Sequence, residues 1–194
     1  AFVLLALLLG TTPTVAQDDS PPAKASPLPS PSEPSAGERR DLYLDMPYYL
    51  GGMEPQIVMV RGREHFEGAD AERQAGLVAF LETVEADVED LVSGYALVSH
   101  DELFSFVVGI RLRGAQPGTL APAYLPLLLG ELDEPTVTED TVGDRDVLVV
   151  TSRGTGGEPV ALFLYDEGDT LWLVQGPDDV VEVTLANLPG STEP

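Results

Sequence analysis

Residues 104–113 constrain this chain more than any other stretch. Phe104, Phe106, Val108, Ile110 and Leu112 fall on alternate positions, with Ser105, Val107, Gly109, Arg111 and Arg113 between them. Successive side chains of a strand point to opposite faces, so five large apolar groups share one face and require a covering layer. Residues 95–99 form a similar run, separated from the first by His100-Asp101-Glu102, a hairpin-turn spacing. Shorter β-branched runs at 57–60, 147–151, 160–165 and 171–175 predict four more strands. Gly143-Asp144, residues 154–157 and Glu167-Gly168-Asp169 supply turns between them. Trp172, within the Leu-Trp-Leu-Val run, is expected in the core.

The covering layer is legible as helices. Leu77, Phe80, Leu81, Val84, Val88 and Leu91 recur at steps of three and four, which predicts an amphipathic helix with Asp70 as its N-cap. Residues 117–131 predict a second helix, started late or kinked by Pro122 and Pro126. Residues 177–188 predict a third: Pro177, Asp178 and Asp179 suit a first turn, and Val181, Leu185 and Leu188 share a helical stripe. The expected fold is α+β: a mainly antiparallel sheet of five to seven strands with two to three helices packed on one face.

The N-terminus reads as an address. Residues 1–9 are an unbroken apolar run, followed by Thr14-Val15-Ala16, a small-x-small pattern of the kind that signal peptidase cleaves. With no initiator Met or basic leader ahead of it, residues 1–16 read as a truncated signal peptide. Nine apolar residues fall short of the roughly 20 that span a bilayer, so no transmembrane span is expected. Residues 17–40 are rich in Pro and Ser and poor in apolar groups, which predicts a disordered spacer. The remainder, 41–194, is expected to form a single acidic domain, placed outside the cytoplasm or secreted.

Charge narrows the function. The chain carries 33 acids against 10 bases, and residues 41–194 hold nearly all of the excess. Such a surface repels phosphate backbones, which excludes nucleic acid as a partner. It suits simple solvation first, with a basic partner or a divalent cation as the functional alternative. The absence of cysteine removes disulfides, thiolate metal sites and a thiol nucleophile.

No catalytic motif stands out. Ser99-His100-Asp101 has the letters of a triad, but consecutive residues cannot line up the required hydrogen-bond chain. Glu64-His65 with Glu67 and Asp70 lacks the spacing that sets two imidazoles on one helix face. Glu82, Glu85 and Glu89 read as a solvated acidic helix face. One pattern is less ordinary. Four of the seven arginines after residue 40 form the pairs Arg61/Arg63 and Arg111/Arg113. If their strands were neighbours, the guanidinium groups would make a positive island able to hold a carboxylate, sulfate or phosphate. Glu139, Asp140, Asp144 and Asp146 crowd one hairpin and offer oxygen ligands for Ca²⁺, without the spacing of an EF-hand loop; no other cofactor is expected. The expected function is a non-enzymatic, extracytoplasmic binding or interaction domain on a flexible tether, taking a small anionic ligand or a protein partner. A secreted hydrolase using carboxylates or a metal is the alternative, with a structural envelope component as a further one.

Overall fold

The computed structural model describes residues 41–100, 103–154 and 157–189, so the expected signal peptide and spacer lie outside the described residues. The alternating stretch becomes β3 (Leu103–Leu112), an interior strand of one seven-stranded sheet. The others are β1 (Gln56–Arg61), β2 (Leu91–His100), β4 (Thr136–Val142), β5 (Arg145–Arg153), β6 (Pro159–Glu167) and β7 (Thr170–Gln175). Their order across the sheet is β1-β2-β3-β7-β6-β5-β4, and every neighbouring pair is antiparallel. Strands β1 to β3 form one meander. The chain then crosses to the far edge, and β4 to β7 return as a second meander until β7 closes on β3.

Among the described residues, four α-helices accompany the sheet: α1 (Leu42–Asp45), α2 (Ala71–Thr83), α3 (Leu120–Gly130) and α4 (Asp178–Asn187). Asp70 caps α2 as expected, its Oδ1 accepting from the Arg73 N–H at 2.9 Å. The α+β class and the antiparallel sheet agree with the sequence reading, but the helices do not share one face. Helices α2 and α3 bury Leu77, Phe80, Tyr124 and Leu128 against Phe106, Val108, Ile110 and Leu112. On the opposite face, Leu42, Met46 and Leu50 from the α1 segment join Val181 and Leu185 of α4 over Val107, Val149, Trp172 and Val174. The reason is in β7: Leu171 and Leu173 are apolar on one side, Trp172 and Val174 on the other, so a sheet covered on one face only would leave an indole in water. Trp172 is fully buried, and the β3 backbone makes room for it at Gly109, where a Cβ would stand 2.7 Å from the indole.

Two boundaries also move. The three- and four-residue spacing continues past Thr83, yet α2 stops there because Glu85 turns left-handed (φ 54°). The Ala86 N–H then bonds the Leu81 carbonyl and the Glu85 N–H bonds that of Glu82, the paired bonds of a Schellman C-cap. Val88 therefore sits in a 3₁₀ turn (Val88–Asp90) and Leu91 opens β2, and Glu82, Glu85 and Glu89 do not share one helix. Strand β4 is the other difference: six of its seven residues are exposed, so it carries no apolar period.

Candidate functional site

The four arginines do not converge. Strand β2 lies between β1 and β3, with Arg61 opposite Val92 and Val92 opposite Arg111. Arg61 and Arg111 thus share a face two strands apart, about 10 Å at the usual interstrand spacing. Arg63 leaves the strand for the 3₁₀ turn Gly62–Phe66, and Arg113 is exposed beyond the end of β3. Three are engaged by acids: Arg61 with Asp41 (3.4 Å), Arg63 with Glu89 (3.0 Å), and Arg111 with Asp45 (2.8 Å) and Asp169 (3.5 Å). Arg111 also donates to the Thr170 hydroxyl at 2.8 Å and pins the α1 segment to the sheet.

The acidic hairpin separates by the same alternation. Glu139 is opposite Leu148, and Thr141 is opposite Asp146, whose carboxylate accepts from the Thr141 hydroxyl at 3.2 Å. Glu139 and Asp146 therefore share the α3 face of the sheet, Asp140 alternates away and Asp144 lies in the turn. Among the described residues, no group of three or more His, Asp or Glu is placed to hold a metal ion. Beside this hairpin lies an open cleft of about 620 Å³, bounded by Glu139, Asp140, Asp146 and Asp166 over Leu148 and Leu164. Asp166 is the strongest polar feature of its wall. Its Oδ2 accepts from the Leu120 and Ala121 N–H groups at 2.9 and 3.0 Å, capping α3 from a distant strand. Burial raises its carboxyl above the usual range, partly offset by those two N–H groups. Its Oδ1 is buried and unpartnered.

A second, smaller cavity of about 40 Å³ lies between β2, α2 and α3. His65 fills one side. Its Nδ1 is 2.8 Å from the Gly62 carbonyl and its Nε2 2.9 Å from the Ser93 hydroxyl. A carbonyl only accepts, so Nδ1 carries the proton and Nε2 accepts from Ser93. Gly62 aims that carbonyl with φ 52°, a conformation that favours glycine. Burial holds His65 below its ordinary value, hence neutral at pH 7. The Tyr95 phenol lines the same cavity, and burial pushes it up and keeps it protonated. Arg73 and Glu131, 3.8 Å apart and half-buried, close the cavity's outer wall.

The sequence alone assigns no chemistry to His65, whose neighbours lack metal-site spacing, and none to Ser93. The available signal was a hydroxyl at an inward position of a strand, Ser93 sharing a face with Leu91 and Tyr95. Asp166 had no local signal, because its partners are 45 and 46 residues away. No protein-family model, curated protein or solved structure matches this chain.

Proposed function

We propose that this protein is an exported binding domain, tethered by its Pro/Ser-rich segment, whose acidic cleft receives the basic, extended segment of an extracytoplasmic protein. The observation that carries this reading is the 620 Å³ cleft, with the carboxylates of Glu139, Asp146 and Asp166 on its face of the sheet and no basic residue in its lining. Leu148 and Leu164 give it an apolar floor for the aliphatic stems of Lys or Arg. Strand β4 adjoins the cleft as an outer edge of the sheet, where an extended peptide gains main-chain hydrogen bonds by strand addition. The acidic excess of the chain favours the encounter and repels anionic competitors. A small anionic ligand is the weaker reading, because Arg61, Arg63 and Arg111 already face carboxylates.

Titration of the full chain with a fluorescent Lys/Arg-rich peptide and with its Glu-rich counterpart tests this. The basic peptide binds, the acidic one does not, and raising salt from 0.05 to 0.5 M weakens binding, as screening over a few ångströms requires (Debye length about 10 Å at 0.1 M). Glu139→Gln with Asp146→Gln weakens it by about 3- to 30-fold at up to about 1 kcal/mol per exposed charge. Equal binding of both peptides, or affinity indifferent to these substitutions, rejects the reading.

A further inference from the structure

We infer that Ser93 and His65 form a nucleophile–base pair for acyl transfer from small activated esters, with the cavity beside them as the acyl pocket. The geometry is that of an activated hydroxyl: Ser93 donates to Nε2 of a neutral imidazole at 2.9 Å, and the imidazole is oriented through Nδ1 by a fixed backbone carbonyl at 2.8 Å. The neutral form is the one able to take the proton, and burial maintains it. Cavity size sets the substrate class. About 40 Å³ accommodates a two- or three-atom group, at roughly 10–15 Å³ for each water-sized site. That admits an acetyl and excludes a long acyl chain or a peptide. Leu77, Phe80 and Leu127 line the apolar side, suited to a methyl group. Arg73 lines the same cavity and supplies cationic N–H donors for an oxyanion. The leaving group projects past the half-buried Arg73 and Glu131.

In the forward step Ser93 Oγ attacks the ester carbonyl carbon while its proton passes to His65 Nε2. The tetrahedral oxyanion collapses, the ester C–O bond breaks, and Nε2 returns the proton to the departing oxygen. Water then attacks the acyl-Ser93 carbonyl, losing a proton to Nε2. Release of the carboxylic acid returns that proton to Ser93 Oγ, so no oxidant, reductant or metal is consumed.

This inference is independent of the acidic cleft and fails separately from it. The experiment is incubation of the full chain with p-nitrophenyl acetate and, in parallel, with a small fluorophosphonate, followed by intact mass and peptide mapping. The expected result is one adduct per chain, mapped to Ser93 in the wild-type protein. Ser93→Ala abolishes it, and His65→Gln slows it by about 100-fold or more, the usual contribution of a general base. The labelling rate falls as pH drops below the ordinary His value, a response that a merely structural His65–Ser93 contact does not give. No adduct, or an adduct on any other residue, overturns the inference. Because mapping is done on the wild-type chain, a variant that fails to fold leaves the outcome decided.

Discussion

Asp166→Ala isolates what one carboxylate contributes to this fold. Helix α3 begins Leu120-Ala121-Pro122, so Pro122 has no N–H and the first two N–H groups depend on Asp166 Oδ2. Replacing a capping side chain by Ala costs about 0.5–2 kcal/mol. Two donors on one half-buried acceptor put Asp166 at the upper end, near 2 kcal/mol, or about 4–8 °C in Tm for a domain of this size. Asp166→Asn retains an oxygen able to accept both bonds and removes a charge that burial disfavours, so it costs less than half as much. The pH dependence has a definite sign. Burial raises the folded-state pKa of Asp166 above its unfolded value. The native state then binds the proton first, and the stability linked to Asp166 is fully present below the unfolded pKa and lost as pH rises through the folded one. The gap between wild type and Asp166→Ala therefore widens on acidification through the carboxylate range. Urea unfolding of the three proteins at several pH values measures this. A gap that narrows, or Asn costing as much as Ala, would refute an acceptor-based cap and make the charge itself responsible.

His65 gives the opposite sign: its folded pKa lies below 6.5, so its contribution is present above that pH and is lost as pH falls through the folded value. A urea-midpoint profile that declines on acidification in the wild type and flattens in His65→Gln reports it. Gly109→Ala sets a methyl 2.7 Å from the Trp172 ring and 3.2 Å from Leu42 Cδ1, an overpacking cost of about 1–3 kcal/mol. Its readout is a lower thermal midpoint with a changed near-ultraviolet tryptophan signal, and an unchanged midpoint counts against the close approach. Arg145 is buried, donates to the Leu188 and Pro189 carbonyls at the end of α4 and stacks 4.2 Å from the Tyr165 ring centroid. Arg145→Ala leaves those carbonyls without their donor and costs about 2–4 kcal/mol by thermal unfolding, whereas a loss under 0.5 kcal/mol removes the capping role.

How much was legible follows from the range of each interaction. Alternation at 104–112 determined a strand and its inward face, because the period of two is a property of the backbone. Asp70 announced the start of α2 in the same way, since a cap acts over three residues. Strand β4 was visible only as an acidic approach to a hairpin: exposed on both sides, it has no apolar period, and β5 alone makes it a strand. The end of α2 was hidden because its helical spacing runs on to Leu91, and a left-handed Glu85 overrides it.

The candidate sites divide along the same line. Composition established an acidic chain with no thiol chemistry, because those facts need no geometry. Which charges meet was decided by strand order: β2 between β1 and β3 separates the arginine pairs, and the return of β7 to β3 brings Asp169 and Thr170 to Arg111. His65 and Ser93 lie 28 residues apart and meet only because a 3₁₀ turn folds back over β2. Local periodicity is written residue by residue along the chain, whereas pairing across a sheet depends on which meander closes on which, and that is settled by burying both faces of β7 at once.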